Sequence, residues 1–280
     1  MKSAPFDYQR AASVTGALDL FAAAVGLAKY VAGSQTLGPM MNLRLTQVDT
    51  LIDLSRVDEL RYAEDRAGLV RFGAGIRHCE IEDGHVPDPS LGLMARAASG
   101  LAYRAVRNRG TIGGSLAHAD PVAEWPNILV ALSAVVNTLG ASGKKNIPVT
   151  DFLRGHLTTS LTDEEIVTSI DVPKLPLGTR VGYQKFCRKV GEFAHSMAVA
   201  VIPPGGTARV VLGCAASTPV HLPSTAAFVA RVMPQTAGFE AELRATLGAD
   251  FKQLNLHLDD YEENLHATIV AQSVGEALRS

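Results

Sequence analysis

Two short stretches carry residue types that could do chemistry, "VAGSQT" at residues 31–36 and "GTIGGS" at residues 110–115. The first holds Val31, Ala32, Gly33, Ser34, Gln35 and Thr36. In the second, Gly110 precedes Thr111, Ile112, Gly113, Gly114 and Ser115. Each follows a segment that reads as a short strand. Successive backbone N–H groups in such turns can converge into a nest that binds an anion. Glycine suits a backbone that turns at positive φ or lies close against a ligand. Two nests side by side could hold a pyrophosphate; taken singly, each glycine pair is more simply a tight turn. Neither stretch is GxGxxG, and neither is GxxxxGK followed by Ser or Thr. Nicotinamide-type Rossmann and P-loop readings therefore lack their signatures.

Other candidates surround them. Asp120 with Pro121 reads as a helix start, Asp120 as its N-cap, and Glu124 as an acid favoured by the first turn. Lys185 lies on an expected strand, "VGYQKFCRKV", where a solvated strand-edge lysine is the plain reading. Phe193 reads as a core aromatic. His118 has no Ser or Cys nucleophile signature beside it, and HExxH is absent. Arg104, Arg107 and Arg109 read as a solvated or interdomain face, or as one that meets the acidic edge of a partner subunit. The three cysteines, Cys79, Cys187 and Cys214, are odd in number and not at CxxC spacing. That argues against a disulfide framework, a zinc site or an iron–sulfur cluster held by this chain alone. They read as reduced thiols of a cytoplasmic protein, Cys214 as a small buried hydrophobe.

The elements that must position these residues are partly legible. With 280 residues and 47% hydrophobic content, the chain can bury a real core. A net charge of −2 gives no basic footprint for nucleic acid. "FAAAVGLA" is too short to span a bilayer, and "MKSAPFDYQR" shows no apolar secretory run. Residues 13–28 read as a helix capped by Ser13, with Leu18, Phe21, Ala22, Val25 and Ala28 near one face. "KYV", "TLIDLS", "GLVRFGAG", "DEEIVTSIDVP", "VGYQKFCRKV", "HSMAVAVI" and "ARVVLGCAAS" read as strands. "DPSLGLMARAAS" and "DPVAEWPNILVALSAV" read as helices capped by Asp88 and Asp120. "STAAFVARV", "FEAELRATLG" and "YEENLHATIVAQSVGEAL" read as closing helices. "PKLPLGT", residues 173–179, is the expected linker. Strands and helices alternate without the period of a doubly wound sheet, so the expected class is α+β.

The motifs together resemble a known family. "VAGSQTLGPMMNLRL", "GTIGGSLAHADPVAEWP" and "YQKFCRKVGEFA" are similar, in order and spacing, to the FAD-binding medium subunit of molybdenum hydroxylases. "FDYQR", "TLIDLSRVDEL", "VRFGAG", "LTDEEIVTSIDVP" and "GCAASTPV" extend the resemblance over nearly the whole chain. It implies a two-lobed FAD-binding unit of the vanillyl-alcohol-oxidase (PCMH) type over residues 1–175, with lobe one about 1–56 and lobe two about 57–175. A small C-terminal α+β domain, 176–280, would follow. Residues 31–36 and 111–115 would wrap the FAD diphosphate. Asp120 and Glu124 would join the cofactor set, Glu124 toward sugar or ribityl hydroxyls. Lys185, Phe193 and Leu161 would lie near the flavin, with Lys185 favouring an anionic reduced form. The family's first motif usually has Gly where Ser34 stands, and its second commonly ends in Asn where Ser115 stands. No residue matches a catalytic base, and the FAD attachment would be non-covalent. A small partner with two 2Fe–2S clusters and a large molybdopterin partner would complete a dimer of heterotrimers. The rival readings are a self-contained flavin oxidoreductase and an assembly subunit with a degenerate site.

Overall fold

A computed structural model describes residues 2–231 and 238–279. The first sheet is parallel, in the order β1 (Asp7–Arg10), β3 (Thr50–Asp53), β2 (Ala28–Val31). Helix α1 (Val14–Ala23) crosses from β1 to β2, and α2 (Leu37–Asn42) from β2 to β3. The second sheet is antiparallel. It runs β4 (Ala63–Arg66), β5 (Leu69–Gly73), β10 (Ile166–Pro173), β6 (Val135–Gly140), β7 (Gly143–Pro148). Between β5 and β6 lie α3 (His78–Glu82), α4 (Leu93–Ser99), α5 (Arg104–Arg107), α6 (Ile112–His118) and α7 (Glu124–Ala131). After β7 come α8 (Val149–Phe152) and the small pair β8 (Leu153–Gly155) and β9 (Thr158–Thr159). The third sheet, also antiparallel, is β11 (Arg180–Phe186), β12 (Ser196–Ile202), β13 (Arg209–Gly213), β14 (Val220–His221). Helices α9 (Pro223–Val229), α10 (Phe239–Gln253) and α11 (Asp260–Arg279) follow it.

The third sheet is buried on both faces. Met197, Val199, Val201 and Val211 join the main core with the first two sheets and α7. Their strand neighbours Ala198, Ala200, Val210 and Leu212 face the opposite way, into a second core closed by α9, α10 and α11. Alternation along each strand produces this two-sided burial. Helix α7 is buried along its whole length, packed against β12 and β13 of the third sheet and against α4, α6 and α8.

Several expected helices begin or end elsewhere. Helix α1 is capped by Ser13, whose side chain accepts from the Gly16 N–H at 3.0 Å. It stops at Ala23 rather than 28, because Gly26 takes φ +81 and the space for its Cβ is filled by the Asp49 carboxylate. Val25 is exposed, and Ala28 belongs to β2. Asp88 and Asp120 are turn formers, not N-caps. Asp88 Oδ1 accepts the Ser90 N–H at 2.9 Å, and α4 starts only after Gly92. Asp120 Oδ1 accepts the Val122 N–H at 3.0 Å, so α7 starts at Glu124. Such Asx turns use the same residue types as caps. Helix α7 also ends early: the Ala134 N–H bonds to the Leu129 carbonyl at 3.0 Å in a Schellman turn, and β6 follows. The expected helix 224–232 is α9, one residue earlier at its start; Val232 lies outside the described residues.

Candidate functional site

The first glycine stretch leaves the C-terminal end of parallel strand β2 and enters α2. Ligands of open parallel sheets bind at that edge. The backbone N–H groups of Ala32, Gly33, Ser34, Gln35 and Thr36 find no acceptor among the described residues. Gln35 steadies the turn through a 2.9 Å bond from its amide nitrogen to the Gly33 carbonyl. Ser34 sits at φ +60, a left-handed conformation that suits glycine better. The segment is thus a row of open donors, the equipment an anion needs.

The second stretch is built differently from the expected nest. Thr111 caps α6, its hydroxyl oxygen accepting the Gly114 N–H at 3.1 Å. The Ile112 N–H goes to the Ile76 carbonyl and the Gly113 N–H to the Ala74 carbonyl, each at 3.0 Å; Ser115 N–H goes to Thr111 O. These donors are engaged, so the motif presents close-packed backbone, not a fan of free N–H groups. Its glycines permit contact. A Cβ on Gly113 would lie 2.4 Å from the Ala74 Cβ.

The fold brings the two stretches together. A Cβ on Gly33 would lie 2.3 Å from the Arg109 carbonyl oxygen and 2.8 Å from Gly110 Cα. Behind Gly110 stands His78, the first residue of α3. A Cβ on Gly110 would lie 2.6 Å from its Nε2. The His78 N–H bonds to the Gly110 carbonyl at 3.0 Å, and Arg77 and Thr111 form an antiparallel bridge. The His78 ring is buried and accepts the indole N–H of Trp125 at Nδ1, 2.9 Å away. Burial, with a contribution from the charge of Arg107, pushes the imidazole down to about 4. It is therefore neutral at neutral pH, with its proton on Nε2. Nothing in sequence spacing flagged His78 or Trp125, which lie 47 residues apart.

A second junction joins α7 to the third sheet. Lys185 Nζ on β11 donates to Glu124 Oε1 at 2.5 Å and to the Gly100 carbonyl at 3.3 Å. The two side chains are only 10% and 7% exposed, so Lys185 is not a solvated edge residue. Burial raises the Glu124 carboxyl above its ordinary value, with Lys185 opposing. The same burial, with Glu124 adding to it, pushes the Cys214 thiol up to about 12 and raises the Tyr183 phenol.

The remaining expected residues are dispersed. Phe193 lies in the loop between β11 and β12 and is 69% exposed, not a core aromatic. That loop rests on the segment between α4 and α5 at Gly191, where a Cβ would lie 2.9 Å from the Ala102 carbonyl. Leu161 follows β9 and packs its side chain on the main core. Its loop is tethered to β2 by Lys29 and Asp163, 2.7 Å apart. His118 is half-buried at the end of α6 beside Asp120 and His156. Arg104 and Arg107 do not form a free basic face: both bind Glu82, and Arg104 also binds Asp83. No group of three His, Cys, Asp or Glu among the described residues could hold a metal ion. No helix among them is long and apolar enough to cross a membrane.

Residues 4–175 match the family described as the FAD binding domain in molybdopterin dehydrogenase, well over half of the chain. The chain belongs to this family. The 6-hydroxypseudooxynicotine dehydrogenase complex subunit alpha of Paenarthrobacter nicotinovorans is 36% identical over 202 residues, covering 72% of this chain and 68% of that one. The carbon monoxide dehydrogenase medium chain of Hydrogenophaga pseudoflava is 34% identical over 201 residues, covering 72% and 70%. A solved carbon monoxide dehydrogenase from Hydrogenophaga pseudoflava superposes with a TM-score of 0.89 at 29% identity, over 100% of this chain and 99% of that one.

The open donor row fits the diphosphate of the family's FAD. Ser34 is the one strained residue in it. Ser34→Gly is expected to raise the stability of the FAD-free chain by up to ~1 kcal/mol, the relief of left-handed strain less the added freedom of the unfolded glycine. FAD affinity should be kept or improved. Thermal unfolding and a flavin titration check both; a lower melting temperature would mean that the Ser34 hydroxyl contributes more than its backbone costs.

Proposed function

We propose that the chain is the FAD-carrying electron-transfer medium subunit of a cytoplasmic heterotrimeric molybdenum hydroxylase. The observation that carries this is the row of open N–H groups at Ala32–Thr36, locked against Arg109 and Gly110 of the second motif. Membership of the FAD-binding family supplies the ligand. The relatives named above are a subunit of a dehydrogenase complex and a medium chain, which supports a place in a larger assembly. A small partner with two 2Fe–2S clusters and a large molybdopterin partner would complete it, as a dimer of heterotrimers. When bound, FAD would supply the redox chemistry of an electron-transfer subunit standing between the partner's clusters and an external acceptor.

The chain's own residues hold and surround that group. Ala32, Gly33, Ser34, Gln35 and Thr36 would bind the diphosphate with backbone donors, and Val31, paired with β3 at the end of β2, would lead the chain into them. Thr111, Ile112, Gly113, Gly114 and Ser115 would form the wall on its other side. Asp120 and Glu124 would border the sugar and ribityl hydroxyls, and Leu161, Lys185 and Phe193 the flavin ring. The FAD-binding unit, 1–175, would be of the PCMH type, its lobes meeting near residue 56, between β3 and β4. The C-terminal domain, 176–280, would begin in the loop after β10.

The test compares the chain alone with the whole complex. The isolated chain is expected to carry FAD that acid precipitation releases completely into the supernatant. Under anaerobic conditions, a panel of N-heterocycles, aldehydes and carbon monoxide should leave that flavin unbleached. A substrate from the panel should bleach it in the complex. Bleaching of the isolated chain would establish a self-contained oxidoreductase, and a chain without flavin would establish a structural subunit.

A further inference from the structure

We infer that the imidazole of His78, pinned by Trp125, is the positioning residue that seats the second glycine motif against the first and so sets the width of the diphosphate cradle. This rests on the reading of residues 31–36 and 111–115 as that cradle. The structural chain is continuous. The Trp125 indole N–H holds Nδ1 of His78 at 2.9 Å. The ring lies flush against Gly110, with no room for a Cβ between them, and Gly110 with Arg109 lies flush against Gly33. Gly33 is in the middle of the open donor row. Any shift of the ring is therefore passed, through two glycines without side chains to absorb it, to the segment that would meet phosphate.

An apolar side chain would fill the same space without the cost of burying a polar ring. The imidazole does two things such a residue cannot do together. It gives the buried indole N–H its acceptor, and it sets its Nε2–Cδ2 edge against Gly110. Trp125 also neighbours Glu124, which holds Lys185 of the third sheet. The first turn of α7 thus fixes both the cradle and the sheet beyond it. The pairing is charge-neutral, so it positions the backbone without repelling or competing for an anion.

Two variants separate the ring from the acceptor. His78→Asn keeps an acceptor near the position of Nδ1 and removes the flat ring. His78→Phe keeps the ring and removes the acceptor, leaving a buried indole N–H unpaired. Measured on the full chain stripped of FAD, melting temperature should follow the acceptor, with Asn closer to wild type than Phe. FAD affinity, by titration of each folded apoprotein, should follow the ring. Asn is expected to weaken it about tenfold or more and Phe only about threefold. Trp125 is the only tryptophan, so its emission reports whether the indole environment survives in each variant. If the Asn variant does not fold, His78→Gln carries the same acceptor on a longer arm. Affinity that falls in step with melting temperature, or does not change in either variant, overturns the positioning role. Gly33→Ala is run alongside. If it loses FAD while His78→Asn does not, only the positioning role fails; if Gly33→Ala keeps FAD, the cradle itself is misassigned.

Discussion

Gly33→Ala is expected to strip the chain of FAD while leaving it folded. Gly33 does not take a positive φ, so alanine meets no conformational objection there. The obstacle is steric. The new methyl would stand 2.3 Å from the Arg109 carbonyl oxygen and 2.8 Å from Gly110 Cα, far inside van der Waals contact. Neither atom belongs to a flexible side chain. Gly110 is fixed through its N–H to the Val106 carbonyl at 2.7 Å and through its own carbonyl to the His78 N–H at 3.0 Å. The second motif is anchored on Ala74 and Ile76, next to β5. The yielding partner is therefore the 32–36 turn, whose N–H groups find no acceptor among the described residues. Its displacement spreads the donors that must converge on the phosphates. Misplaced charge-assisted hydrogen bonds at ~1.5–3 kcal/mol each make a loss of about 100-fold in affinity the minimum expected. The flavin-to-protein ratio of the purified variant, beside its circular dichroism, checks this. Stoichiometric FAD on a folded variant would show that the two stretches do not clasp a shared ligand. At Gly114 an added Cβ would approach only the Thr111 hydroxyl, at 2.9 Å, but Gly114 belongs to the cradle wall; the matched control is Gly248→Ala in α10, where a Cβ meets nothing within 4 Å.

The contrast between Gly33 and Gly114 shows which parts of this site a sequence can display. Both glycine stretches stood out as residue types, and the apolar runs behind them did form strands β2, β3, β5 and β10 to β13. Those signals are local: a strand is written in its own alternation and a turn in its own glycines. What each glycine is for was not local. Gly33 yields space to Arg109, and Gly113 to Ala74, contacts between segments far apart along the chain. Asp88 and Asp120 misled in another way. An Asx turn and an N-cap both need a short side-chain acceptor beside a free N–H, and Pro fits after either, so the sequence could not separate them. The β6–β7 hairpin was hidden for the opposite reason. Its outer strand, "GKKNIP", is polar on an exposed edge and shows no alternation. Lys185 and Phe193 exchanged expectations because exposure is a tertiary property. The charged residue found a buried carboxylate, and the aromatic one was left on a loop.

Lys185→Met is expected to destabilise the chain by roughly 3–5 kcal/mol at neutral pH, the usual cost of removing one partner from a buried ion pair. Methionine roughly matches the packed length of the lysine, so the loss is electrostatic rather than a cavity. It leaves the Glu124 carboxylate buried with no cation and the Gly100 carbonyl without a donor. The double variant Glu124→Gln with Lys185→Met should recover most of the deficit, because it removes the orphaned charge. The pH dependence distinguishes this mechanism from plain loss of packing. Burial already holds the Glu124 carboxyl above its ordinary value, and Lys185 is the main influence that lowers it; the charge of Asp120 raises it further. Without Lys185 the folded-state value climbs higher. A carboxyl whose folded value lies above its unfolded one contributes its full stability when protonated, below the unfolded value. That contribution is lost as pH rises through the folded one. The gap in melting temperature between wild type and Lys185→Met should therefore be widest near neutrality and narrow toward about pH 5. A gap that does not change across this range would mean that Glu124 is solvated in the variant. The seam between α7 and the third sheet would then depend on its apolar contacts, Met197 and Val199 among them, and not on the ion pair.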